Sequence, residues 1–180
     1  MAKPYTPSQD ESDDEVDSVS PLADSGNLYR RGTLIHRMLQ FLPQNEENRE
    51  KAVDVFLQKN SEGFSAEDCR QIRSEVLALI NNPEFAEIFG QYSQAEVPVM
   101  GEVGGKIISA QIDRLIIMPD KIKIVDFKTN RPPAQTIAET PPQYIRQLNA
   151  YAELMHQVYP QKTVETYILW TNEARLMKVS

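Results

Sequence analysis

The stretch Gln111-Ile112-Asp113-Arg114-Leu115-Ile116-Ile117-Met118-Pro119-Asp120-Lys121-Ile122-Lys123-Ile124-Val125-Asp126-Phe127-Lys128 reads as two apolar strands joined by the tight turn Met118-Pro119-Asp120-Lys121. Side chains alternate along a strand, so Asp126 and Lys128 share a face with Ile122 and Ile124, while Val125 and Phe127 point the other way. A turn symmetric about Pro119 and Asp120 puts Asp113 directly across from Asp126, with Cβ atoms about 5 Å apart. Like charges oppose each other poorly in a sheet, and a bound divalent cation or a shared proton relieves them. Asp113 shares its face with Ser109 and Gln111, and Ile108, Ala110, Ile112 and Ile116 line the other. Asp126 emerges from a run that looks buried, where charge is costly unless used. The constellation of Asp113, Asp126 and Lys128 therefore reads as a metal site, although each residue singly would pass for solvent-facing charge.

Period-2 patterning marks strands at 95–100, 106–118, 121–129, 163–171 and 175–179. A helix at about 142–159 interrupts them, with Tyr144, Leu148, Ala152 and Met155 on one stripe and Gln143, Gln147 and Tyr151 on the adjoining one. Upstream the period is helical. A first helix begins near Leu28 and ends before Pro43, a second spans about 46–59, and a third follows the N-cap Ser65 through Leu79. A short fourth helix starts at Asn82 and Pro83, buries Phe85, Ile88 and Phe89, and ends at Gly90 in a left-handed conformation. Helices, a three-strand meander, a crossover helix and two more strands predict an α/β fold with a mixed sheet flanked by helices and an N-terminal helical region. A hairpin centred between Val103 and Gly104 would set Glu96 opposite Gln111 and diagonal to Asp113.

The chain has 180 residues, 41% of them hydrophobic, enough for one core-bearing domain. The formal charge of -7 is concentrated at one end: residues 1–29 hold seven acids against Lys3 alone. That leaves the remainder near neutral and a polyanionic partner open. Residues 1–27, acidic and rich in Ser and Pro, read as a disordered linker, and 28–180 as the folded domain. Cys69 is the single cysteine, which excludes a disulfide framework and an iron–sulfur cluster. The composition suits a reducing cytoplasm. No apolar run approaches the ~20 residues that span a bilayer, so no membrane association is expected. Gly104-Gly105-Lys106 fails as a phosphate loop, because Met occupies position 100 and Ile follows the lysine, so no ATP site is expected. No Gly-x-Ser-x-Gly elbow is present, and hydrolytic chemistry would have to use metal-activated water.

Taken in order, Arg31-Gly32-Thr33-Leu34-Ile35-His36, Ala95-Glu96, Gln111-Ile112-Asp113-Arg114, Val125-Asp126-Phe127-Lys128-Thr129-Asn130 and Gln147-Leu148-Asn149-Ala150-Tyr151 resemble the nuclease module of the RecB family, within the PD-(D/E)xK superfamily. Leu169-Trp170-Thr171 and Arg175-Leu176-Met177 look most like the C-terminal nuclease domain of bacterial AddA helicase–nucleases. The resemblance implies a restriction-endonuclease-like core in which His36, Asp113 and Asp126 hold magnesium, or manganese, and Glu96 supports the site. It implies that Lys128 positions or polarises the attacking water, and that Gln147 and Tyr151 work beside the DNA backbone. Asn130 and Arg131, just beyond the second strand of the hairpin, suit a phosphate backbone. Ile112 replaces the nominal proline. The implied activity is magnesium-dependent hydrolysis of DNA, as the exonuclease part of a helicase–nuclease in double-strand break repair and recombination. Helicase domains upstream and a second helicase–nuclease subunit would be its partners. The alternative is a DNA-binding or regulatory module with little activity apart from its motor.

Overall fold

The computed structural model describes residues 23–42 and 48–180. Three helices come first: α1 (Ala23–Phe41), α2 (Arg49–Asn60) and α3 (Ala66–Ile80). Strands β1 (Ser93–Val103), β2 (Lys106–Ile117) and β3 (Lys121–Lys128) form the meander, α4 (Pro142–Val158) crosses over, and β4 (Thr163–Trp170) and β5 (Arg175–Lys178) complete the sheet. Strand order is β1-β2-β3-β4-β5, antiparallel except for the β3–β4 pair, which is parallel. A parallel neighbour requires a crossover connection, and α4 supplies it.

The expected α/β architecture is therefore present, with helices on both faces of a mixed sheet. On one face Ile35, Met38, Leu39, Val53, Ile72, Val76 and Leu79 pack on Val125, Phe127 and Leu169. On the other, Leu148, Tyr151 and Leu154 of α4 pack on Ile112, Ile122, Ile124, Ile168 and Trp170. The sandwich explains why β3 reads as almost continuously apolar: Ile122, Ile124, Val125 and Phe127 are all at most 3% exposed. Each such burial contributes about 1.5–3 kcal/mol, and truncating Ile124 to Ala would cost about 2–5 kcal/mol.

Local signals set the boundaries. Ser65 caps α3 by accepting from the Asp68 N–H, and the Asp68 carboxylate returns the bond to the Ser65 N–H at 3.0 Å, a capping box. The β2–β3 register runs from Arg114 opposite Val125 to Ile117 opposite Ile122, as the two-residue turn predicts.

Several expectations need correction. Helix α1 begins at Ala23, earlier than Leu28, while the rest of the expected acidic linker lies outside the described residues. The expected start of the second helix, at 46–47, also lies outside them, and α2 is seen from Arg49. The short fourth helix is a single 3-10 turn, Pro83–Phe85, capped by the Asn82 side chain. Gly90 is not left-handed; the residue is small because a Cβ there would stand 2.8 Å from the Ala86 carbonyl oxygen. The β1–β2 turn is centred between Gly104 and Gly105, both at positive φ, so Pro98 faces Gln111 and the register moves by two residues. Ile116 also leaves the face of Ile108 and Ile112. It joins the helical-layer core, because β2 turns its faces over at Asp113.

Candidate active site

The faces of β2 turn over beside a break in its pairing with β1. Ala95 pairs with Arg114 and Val97 with Ile112, leaving Glu96 and Asp113 as the unpaired residues between them. Glu96 adopts φ 52°, a left-handed conformation that costs a non-glycine residue on the order of 1–3 kcal/mol and concentrates at functional sites. The Gln111 amide donates to its carbonyl at 3.1 Å, which satisfies the group released from the ladder.

Asp113 thereby meets α1. Its Oδ1 lies 3.5 Å from His36 Nδ1, and its Oδ2 accepts from the Phe127 N–H at 2.6 Å. The second contact ties Asp113 to the end of β3. Donor atoms of His36, Glu96 and Asp113 all fall within 4.8 Å of one another. The expected ligand set was His36, Asp113 and Asp126; Glu96 takes the third place in this cluster, and Asp126 stands outside it, beside Lys128.

The electrostatics follow from this packing. Burial by itself would lower the His36 pKa, but the Asp113 carboxylate, with Asp126 behind it, outweighs that and raises it to about 8. Burial pushes the Asp113 carboxyl up; His36, the Phe127 N–H and Lys128 together hold it below its ordinary value. Asp126 goes the other way. Its burial and the charge of Asp113 raise it, against the pull of Lys128. Glu96 is raised, first by burial and then by Asp113.

On β3, Lys128 Nζ lies 3.0 Å from Asp126 Oδ2 and donates to Gln147 Oε1 at 3.2 Å. The ammonium is 4.0 Å from the centre of the Tyr144 ring. Gln147 donates onward to the Tyr151 hydroxyl at 2.8 Å, and that hydroxyl donates to the Gln111 carbonyl at 3.2 Å. Burial, with the neighbouring carboxylates, raises the Tyr151 phenol well above its ordinary value, so it stays protonated and donating.

The structure brings His36, Glu96, Asp113, Asp126, Lys128, Gln147 and Tyr151 together at one end of β3. Asn130 accepts from the Tyr144 hydroxyl at 3.2 Å. Arg131 is engaged elsewhere: its guanidinium donates to Glu75 at 2.8 Å and reaches Gln71 at 3.5 Å. The buried Glu75 also pairs with Arg31 and accepts from Thr171 Oγ1 at 2.5 Å, joining α1, α3 and the segments after β3 and β4. Glu75 carried no signal in its own sequence neighbourhood. Tyr144 did, since it precedes Gln147 and Tyr151 by three and seven residues and so shares their stripe. Its apolar ring had placed it with the core residues instead.

A divalent cation fits this donor set. Asp126 Oδ2 is buried and accepts no hydrogen bond, although it ion-pairs with Lys128 Nζ at 3.0 Å. Carboxylate oxygens with one imidazole suit magnesium or manganese.

The model of the PD-(D/E)XK nuclease superfamily matches residues 15–178. The chain belongs to the PD-(D/E)XK nuclease superfamily. Its members are generally metal-dependent nucleases. The superfamily's pattern falls on Ile112-Asp113, with Ile in place of Pro, and on Asp126-Phe127-Lys128. The five-strand mixed sheet with helices on both faces is the restriction-endonuclease-like fold of PD-(D/E)XK proteins. Among solved structures, the crystal structure of SSO0001 is 12% identical over 90% of this chain and 79% of that one, with a TM-score of 0.37. VC1899 from Vibrio cholerae is 13% identical over 79% of this chain and 43% of that one, with a TM-score of 0.33. No curated protein sequence matches the chain. Among the described residues no helix is long and apolar enough to cross a membrane.

Proposed function

We propose that this chain is a magnesium-dependent deoxyribonuclease domain that hydrolyses DNA phosphodiester bonds. The observation that carries the reading is the meeting of the His36, Glu96 and Asp113 cluster with the buried Asp126–Lys128 pair at one end of β3. A bound cation would lower the pKa of a coordinated water and neutralise charge on the scissile phosphate. His36, Glu96 and Asp113 would hold it, with Asp126 offering its unsatisfied oxygen. Lys128 sets a positive charge beside the oxygen that becomes negative as the phosphorus–oxygen bond breaks. Gln147 orients Lys128, and Tyr151 locks Gln147 to the β2 backbone.

The finer assignment is the exonuclease part of a helicase–nuclease acting in double-strand break repair and recombination, with helicase domains upstream and a second subunit as partners. Its support is the order of RecB-like motifs along the chain. A second reading, a DNA-binding or regulatory module with little activity apart from its motor, is favoured by one observation. Lys128 and Arg131 are both committed to carboxylates, which leaves less free positive charge to capture DNA unaided.

The test is cleavage of end-labelled single- and double-stranded DNA by the purified chain with magnesium, manganese or EDTA, beside Asp126→Ala. Cutting that needs the metal and disappears in the variant supports the nuclease. Metal binding without cutting, in a folded protein, supports the motor-dependent module.

A further inference from the structure

The lysine stem is flexible, and an ammonium held from one side by two oxygens can swing about them. Lys128 has an ion-pair partner, Asp126 Oδ2 at 3.0 Å, and a hydrogen-bond acceptor, Gln147 Oε1 at 3.2 Å. Its side chain is only 15% exposed, so water does little to hold the remaining side. The Tyr144 ring covers it, 4.0 Å from ammonium to ring centre, well inside the reach of a cation–π contact.

The ring is itself fixed at both ends. Its hydroxyl donates to Asn130 Oδ1 at 3.2 Å, and its edge leans on Trp170 with centroids 6.5 Å apart. Asn130 lies two residues beyond Lys128, so the anchor of the ring and the lysine leave the sheet on the same short piece of chain. Trp170 pairs with Lys128 across the parallel β3–β4 register and is fully buried. Tyr144 therefore cannot drift relative to Lys128 without breaking a contact to the segment just after β3 or to β4. Gln147 and Tyr151 lie on the same α4 stripe, so one helix face sets the ammonium from two directions.

We propose that Tyr144 is a positioning residue for Lys128: its ring face holds the ammonium against Asp126, and Asn130 and Trp170 hold the ring. The inference takes up the nuclease reading of the site but concerns a placement that can be observed without DNA.

The test compares the full chain with Tyr144→Phe, which keeps the ring, and Tyr144→Leu, which keeps apolar bulk without it. With 13C-lysine labelling, the Lys128 ε-methylene protons, assigned through Lys128→Arg, are expected to be shifted upfield by the ring in wild type and in Tyr144→Phe, and not in Tyr144→Leu. In DNA cleavage, Tyr144→Leu is expected to lose about 10- to 100-fold in kcat with KM for DNA within about twofold, as misplacement of a reacting group by about 1 Å does. Tyr144→Phe, which keeps the ring and its Trp170 contact but gives up the Asn130 bond, should lose clearly less kcat than Tyr144→Leu. A wild-type Lys128 signal without the upfield shift, or an undiminished kcat in Tyr144→Leu, overturns the inference. If wild type fails to cut DNA with either metal, the nuclease reading falls, and the lysine spectra still decide the placement.

Discussion

Lys128 Nζ and Asp126 Oδ2, two residues apart on one face of β3, stand 3.0 Å from each other with most of both side chains shielded from solvent. The strand's alternation brings them together, and α4 encloses them. Removing either leaves its partner with reduced compensation, which the fold survives because Gln147 still reaches Lys128 and the buried Asp126 carboxyl, already raised by burial, can take up a proton. Asp126→Ala and Lys128→Ala should each reduce metal-dependent cleavage by about 10²- to 10⁴-fold, the scale of lost electrostatic and proton-transfer assistance. Circular dichroism should remain native. Wild-type rates in either variant would refute the assigned roles.

Glu96, from a left-handed backbone position opposite Asp113, completes the His36 and Asp113 cluster proposed to hold the metal. Manganese should raise the melting temperature, by the equivalent of about 2.7 kcal/mol at a hundred times its dissociation constant. EDTA should reverse the gain. In Glu96→Ala and His36→Ala the manganese-dependent rise should shrink markedly, while melting in EDTA changes little. Calorimetric titration of the same variants checks the affinity directly, and undiminished affinity in both would remove them from the metal site.

The Glu75 network gives a prediction about the fold rather than the chemistry. Glu75 is buried and holds Arg31, Arg131 and Thr171 at once, so Glu75→Ala strands a buried guanidinium. The expected loss is about 3–5 kcal/mol in urea unfolding. Arg131→Ala should cost far less, because its side chain is 37% exposed and Arg31 still neutralises Glu75. Equal losses in the two variants would mean that the buried pair is not what holds these elements together.

The capping box of α3 gives the acid limb. Hydrogen bonds from the Ser65 hydroxyl and backbone N–H lower the Asp68 carboxyl below its ordinary 3.8. A carboxyl depressed in the folded state stabilises fully above its unfolded value and loses that contribution as pH falls through the folded one. Wild type should therefore lose its advantage over Asp68→Asn below about pH 3.8. Thermal melts of both proteins between pH 7 and 2.5 measure this, and a constant difference would contradict it.

The sequence made the β2–β3 hairpin readable because Pro119 and Asp120 admit one tight turn, and that turn fixes which residues face each other. Asp126 and Lys128 followed from alternation alone. The β1–β2 register was less legible, since a Val-Gly-Gly-Lys turn can be centred in two ways and no side chain arbitrates. Glu96 came opposite Asp113 because the turn is centred between Gly104 and Gly105, and its positive φ is announced by no residue type. His36 entered only through the family resemblance, and Glu75 did not enter at all. Their partners lie 77 and 56 residues away, His36 meeting Asp113 and Glu75 meeting Arg131, and long-range pairs of that kind leave no periodic trace. Arg131 was read as free to meet phosphate because Glu75 could not be seen facing it.

Arg114 follows Asp113 directly, and its buried guanidinium donates to the Leu39 carbonyl and, at 3.4 Å, to that of Gln40, near the end of α1. Consecutive residues of β2 thus grip the same helix, one at the His36 ring and the other at the backbone a turn further on. Two attachments one helical turn apart fix both the height and the rotation of α1 against β2, and so set where the His36 ring stands beside Asp113.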